Sequence, residues 1–254
     1  MNRRRAVSDL VSFTLVFSTI VFLIGALTVT GITTLNDVRV GTESNVAEET
    51  MLSFATTLSD HRTDGAPTRS TTIKLQGHSF RHADSTVNVT VTSGGSTSHL
   101  RIDTGAFVRE TNTGTRLVYA SGGVFRIGES GGVIVVRQPP IRCGTTSAHL
   151  PLTSVRSDAN LSADGRVTVR SELTDQRLRY PATTSQSTTA SSVSINVSDT
   201  ARPEAWQTYL DDSAGWNDRT ASGHPYEYEC SLGSADPTGR VVVHESQIDV
   251  TVVN

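Results

Sequence analysis

The chain has 254 residues and a mass of 27.2 kDa, enough for one or two domains. Charged residues make up 19%, hydrophobic residues 36% and aromatic residues 6%. The formal net charge of −3 and a pI near 6.2 exclude a nucleic-acid binder built on a basic field. A mean hydropathy of −0.20 excludes a polytopic membrane protein.

The first predicted element is a long helix. No charged residue lies between Leu10 and Asn36, and residues 10–32 form an apolar run of 23 residues. A helix of that length reaches about 34 Å, against a hydrocarbon core of roughly 30 Å. The run predicts a transmembrane helix retained on the protein. A cleaved secretory signal is the competing reading, but its apolar region is only about 7–15 residues long. Arg3, Arg4 and Arg5 precede the run and Asp37 follows it. The positive-inside rule then keeps the N-terminus cytoplasmic and the C-terminal part extracellular, in a single-pass arrangement with membrane lipid as a partner. Ser8 and Asp9 suit a helix N-terminus, where a hydroxyl caps and a carboxylate meets the positive end of the dipole.

Beyond the run, Ala47, Met51, Phe54, Ala55 and Leu58 recur at helical spacing, with Glu43, Glu48 and Glu49 off that face. This predicts an amphipathic stalk helix ended by Gly65 and Pro67. Gly31 and Gly41 are positions where the connection can kink.

From about residue 70 the period changes to two. Residues 86–92 alternate strictly, with Val87, Val89 and Val91 on one face and Asn88, Thr90 and Thr92 on the other. Further strands are predicted at 100–102, 106–108, 116–120, 124–127, 133–137, 166–170, 193–197, 240–244 and 248–253. Glycine-bearing turns separate them. The strand at 133–136 is apolar on both faces, which predicts a central position. A short helix is predicted over 203–212, opened by Pro203 and closed near Gly215. The fold class that results is mainly β: an N-terminal transmembrane helix continuing into an amphipathic helix, then an all-β sandwich-like ectodomain with one short helix. The segments are 1–9 basic and cytoplasmic, 10–32 transmembrane, 33–66 stalk and 67–254 β-rich.

Candidate sites are few. Trp206, Tyr209 and Leu210 share a helix face, with Trp216 just beyond. Such aromatics bind sugar rings or a partner's apolar groove, or else plug the end of a β-domain; the plug is the better-favoured reading. Cys143 and Cys230, both expected outside the cell, predict a disulfide, with two buried thiols as the alternative. Their spacing matches no metal motif. Asn88, Asn160 and Asn196 begin glycosylation sequons, in a chain where Ser and Thr together make up about a quarter of all residues. His78 and His82 are four apart, but the surrounding QGHSFRHAD reads as loop and no HExxH follows. Asp211, Asp212 and Asp218 read as a solvated acidic turn. No nucleophile elbow, P-loop or dinucleotide fingerprint occurs. Neither an enzyme nor a cofactor or metal is predicted.

The stretch Arg3–Ser8, RRRAVS running into an apolar helix, resembles the class III (prepilin-type) signal of archaeal type IV pilins and archaellins. Asp9 stands where proline is common in that pattern. The resemblance implies cleavage between Arg5 and Ala6, leaving the apolar helix on the mature chain. With the stretches GAPTR (65–69) and EAWQTYL (204–210), and with Lys74 as the only lysine, the chain resembles a haloarchaeal, single-pass, pilin-like family of surface proteins of unassigned function. That implies a non-enzymatic structural or adhesion protein, self-associating or meeting pilin-like partners through its N-terminal helix. The alternative is an anchored binding module for a glycan or surface partner, acting through the Trp206–Trp216 region.

Overall fold

The computed structural model describes residues 3–75, 78–111, 114–158, 160–162, 165–183, 189–233 and 239–253; side chains of the first helix are described for 13–28 and from 41 onward. The chain divides into two compact units, residues 1–46 and 47–254.

Helix α1 (Arg3–Thr63) is unbroken at Gly31 and Gly41. Its first part corrects the expected membrane span. Among the described residues no helix is long and apolar enough to cross a membrane. The transmembrane helix over 10–32 therefore falls. So does the single-pass location built on it, with cytoplasmic N-terminus and extracellular C-terminal domain.

The second unit holds the last turns of α1 and a β-rich body. The strands are β1 (Thr68–Lys74), β2 (Ser79–Ala83), β3 (Thr86–Ser93), β4 (Ser96–Asp103), β5 (Ala106–Glu110), β6 (Arg116–Ala120), β7 (Gly123–Ile127) and β8 (Val133–Arg137). They continue with β9 (Arg142–Cys143), β10 (Ser147–Arg156), β11 (Asn160–Ser162), β12 (Arg166–Tyr180), β13 (Thr189–Ala190) and β14 (Ser192–Asn196). Helix α2 (Pro203–Asp211), β15 (Trp216–Asp218), a 3-10 turn (Thr220–Ser222), β16 (Glu227–Ser231) and β17 (Gly239–Val253) complete the order.

These strands form three sheets, where a two-layer sandwich was expected. One runs β1-β12-β17-β10-β9 with β13 on β17, a second runs β11-β2-β5-β6-β7-β8, and a third runs β15-β16-β14-β3-β4. The two strands expected at 240–244 and 248–253 are one continuous strand, β17. It lies between β12 and β10 and pairs with β10 in parallel. The strand at 133–137 is present at the expected bounds but ends its sheet, with Ile134 exposed. Its two apolar faces therefore do not mark a central position: Val133 and Val135 pack toward one cluster and Val136 toward the other.

The amphipathic face of α1 is buried as its spacing requires. Ala47, Met51, Phe54, Ala55 and Leu58 are each at most 1% exposed. Phe54 meets Phe80, Phe107 and Tyr119 edge-to-face at 5.1–5.6 Å between ring centres. Such pairs add roughly 0.5–1.5 kcal/mol each beyond area burial. Arg126 Nη1 donates to Glu48 Oε2 at 2.8 Å and ties the polar edge of the helix to β7. Gly105 lies where β5 begins, at φ +59°, and a Cβ there would press on the Val155 carbonyl and lie 2.6 Å from His82 Nε2. Gly105→Ala is expected to cost about 1–3 kcal/mol, measured as a shift of the urea midpoint.

Glu245 on β17 is a buried charge with a full set of partners. It accepts from Ser154 Oγ (2.8 Å), Arg177 Nε (3.0 Å), Arg179 Nη1 (2.6 Å) and Gln247 Nε2 (3.1 Å). Burial pushes its carboxyl up, but the hydrogen bonds from Gln247, Ser154 and the two guanidiniums outweigh that and hold it below its ordinary value. A depressed folded-state value means the stabilisation is present above the ordinary carboxylate range and lost as pH falls through it. Acid unfolding is expected to lose part of its pH dependence in Glu245→Gln, read from urea midpoints between about pH 3 and 7.

Candidate functional site

The aromatic residues singled out in the sequence take different places. Trp206 is 1% exposed and leans on Phe125, with ring centres 6.0 Å apart. It is a plug, seated in the cluster between the sheets. Tyr209 and Trp216 are 5% and 8% exposed and line a recess of about 230 Å³. Ile141 and Cys143 complete its apolar side, and Gln138, Arg142, Asp212 and Ser213 supply polar groups. Tyr209 Oη reaches the Pro139 and Ile141 carbonyls at 3.2 and 3.1 Å, which fixes its ring. Burial raises the phenol's pKa, with the hydrogen bond to Ser213 opposing.

The wall of this recess is a disulfide between Cys143 and Cys230, with Cα atoms 5.8 Å apart. The local pairing brings the two together: Cys230 sits opposite both Trp216 and Val193, while Cys143 sits opposite Ala148. The turn after α2 lies directly on the cystine. Gly215, at φ +88°, places its carbonyl oxygen 3.0 Å from Cys143 Sγ, and a Cβ there would fall 2.8 Å from the same sulfur.

The acidic residues nearby are used internally. Tyr228 Oη donates to Asp211 Oδ1 at 2.8 Å; burial first, then Asp211, raises the phenol far above its ordinary value. Asp218 Oδ1 accepts from Thr220 Oγ1 (2.6 Å) and Thr220 N (2.8 Å), which lowers its carboxyl. Among the described residues no group of three or more His, Cys, Asp or Glu is placed to hold a metal. His82 belongs to strand β2, not to a loop, and its Nε2 donates to the Val155 carbonyl at 3.1 Å. His78 is buried just before that strand.

Two of the three sequon asparagines are neighbours. Asn88 on β3 and Asn196 on β14 stand directly opposite one another. Asn88 Nδ2 donates to Asp199 Oδ2 at 3.2 Å, and Asn196 Oδ1 accepts from Ser198 N and Oγ at 3.0 and 2.7 Å. Asn160 is exposed on β11. Arg5 and Ala6 are helical in backbone, and their side chains lie outside those described. Gly77, and Ala163, Asp164, Pro237 and Thr238 where turns were expected, also lie outside the described residues.

Sequence reasoning missed Arg109, which is 1% exposed on β5 and donates from Nη2 to the Leu75 carbonyl at 3.4 Å. Burial lowers its pKa. Its place after Ala106, Phe107 and Val108 in a buried strand was the available signal.

No curated protein and no solved structure matches the chain. A family model does match, over residues 5–250, and its span takes in α1, the three sheets and the recess. The chain belongs to that family, the family of unknown function DUF7289.

Proposed function

We propose that this protein is a non-enzymatic structural subunit of the haloarchaeal pilin-like kind, whose copies assemble by packing their N-terminal helices together. One observation carries the reading. Along residues 13–28, ten large apolar side chains from Phe13 to Leu27 are 49–73% exposed, around a stretch of helix with no charged residue. A helix that is apolar all round is one that ends up buried, and contiguous apolar surface of this extent marks an interaction site. Each large side chain withdrawn from water contributes roughly 1.5–3 kcal/mol. Copies of the same helix supply matching surface without any charge to desolvate. The resemblance at Arg5-Ala6-Val7-Ser8 adds a processing step between Arg5 and Ala6, and the mass of the mature chain tests it: a start at Ala6 supports the pilin-like reading, and a start at Met1 or Asn2 contradicts that part.

The assembly is tested with the full chain and the double variant Phe17→Glu, Leu23→Glu. Sedimentation velocity is expected to show large species for the native chain and monomer for the variant, with near-ultraviolet circular dichroism of the β-rich unit unchanged. Equal sedimentation of the two sinks the proposal.

The recess beside the disulfide favours a second reading, a binding module for a glycan or other small partner. An aromatic wall with Arg142, Asp212 and Gln138 at its rim is the pattern that seats a polar ring. Quenching of tryptophan emission on titration with neutral and acidic monosaccharides is the expected result, absent in Trp216→Phe. No quenching with any of them removes this reading.

A further inference from the structure

Strand β8 ends its sheet, and its hairpin with β7 fixes which backbone groups face outward. Gly128 N donates to the Gly132 carbonyl at 2.8 Å, so these residues form a hydrogen-bonded pair. Bonded and non-bonded pairs alternate along an antiparallel ladder. Counting from Gly128, the pairs Ile127–Val133 and Phe125–Val135 are non-bonded and Arg126–Ile134 is bonded. The N–H and C=O of Ile134 therefore point at β7, while those of Val133 and Val135 point away from the sheet. Among the described residues no backbone hydrogen bond reaches Val133 or Val135 from another element.

Helix α2 packs against β8 and leaves Ile134 exposed, while the other sheet ends are closed to a partner in the usual ways. Strands β9, β11 and β15 are two or three residues long. Strand β1 carries Arg69 and Lys74, and β4 carries His99, Arg101 and Asp103. On β8 the run Val133–Val136 is uncharged and β-branched, and Ile134 is 51% exposed, more than any other large apolar side chain described outside α1.

We propose that β8 is an interface for a second copy of this chain, the two strands pairing antiparallel about a two-fold axis through Ile134. That register uses the outward groups fully. Val133 of each copy faces the partner's Val135, and each such pair exchanges two N–H···O=C bonds. Ile134 faces the partner's Ile134 as a non-bonded pair, the arrangement in which side chains lie closest. Arg137 falls opposite the partner's Gly131, so no like charges meet. The same patch serves both copies, as a two-fold interface requires. The irregularity at Val136 stops the ladder there and keeps the contact short. It stands independently of packing between N-terminal helices; where those helices hold copies together, the raised effective concentration strengthens it.

The test is cysteine crosslinking in the full chain, whose two native cysteines are already joined. Ile134→Cys is expected to form a disulfide-linked dimer under mild oxidation about tenfold faster than Leu178→Cys, a comparably exposed control. The same preference is expected to persist with Phe17→Glu and Leu23→Glu added, which separates this contact from helix packing. Equal rates at the two positions overturn the proposal. Hydrogen exchange of the unmodified chain gives a second readout. The Val133 and Val135 amides are expected to slow as protein concentration rises while Ile134 does not change; concentration-independent exchange at all three overturns it.

Discussion

Replacing Cys143 and Cys230 together by alanine is expected to lower the unfolding free energy by about 4–5 kcal/mol, the chain-entropy figure for a closed loop of this length; the two cysteines are 87 residues apart. The expected size comes from what the bond joins. Cys143 lies on β9, a two-residue strand at the end of one sheet, and Cys230 lies on β16 of another. Besides its short pairing with β10, β9 is held by this covalent tie to another sheet. Loss of the tie also removes the sulfur on which the Gly215 turn rests, so the recess bounded by Tyr209 and Trp216 is expected to loosen with it. Urea titration of oxidised, reduced and double-alanine chains measures the effect. Identical midpoints for all three would contradict it.

Trp206→Ala is expected to cost about 3–5 kcal/mol, the range for emptying the volume of a large aromatic in a packed core. Trp206 touches Phe125 and Tyr209 and is among the largest fully buried side chains. Its indole Nε1 is buried and has no hydrogen-bond partner among the described residues. Trp206→Phe removes that uncompensated N–H along with part of the volume, so its cost is expected to be markedly smaller than that of the alanine change. Trp216, at the recess rim on a three-residue strand, has less to lose, and Trp216→Ala is expected to cost less than Trp206→Ala. Thermal melts of the three variants give the order, and a Trp206→Ala chain as stable as the native one would contradict the plug assignment.

Local periodicity carried much of this fold. The alternation of Val87, Val89 and Val91 gave β3 with its buried face, and the spacing of Ala47 to Leu58 named the face of α1 that fills the second core cluster. What alternation cannot report is how strands are ordered. The run Val133–Val136 reads as central by its apolar content and sits at a sheet end, because its position depends on long-range pairing. Strands β1 and β10 escaped notice because Thr, Ser and Arg interrupt their apolar residues, and β10 gains its place by pairing in parallel with a strand some ninety residues away. The recess was half legible. Trp206, Tyr209 and Trp216 are close in sequence, yet α2 turns the first inward while Tyr209 and, on β15, Trp216 stay on the wall, and Arg142 arrives from the distant strand β9. The N-terminal run was legible as apolar and helical, while the span expected from it is not supported: among the described residues no helix is long and apolar enough to cross a membrane.

The central claim is that residues 13–28 pack against the same residues of other copies. Spin labels at Thr19→Cys in the otherwise native full chain test it most directly. Packed helices have axes about 8–10 Å apart, so pulsed dipolar spectroscopy is expected to show inter-chain distances below about 25 Å. A decay with no inter-chain distance, at concentrations where the chain sediments as large species, would contradict the claim.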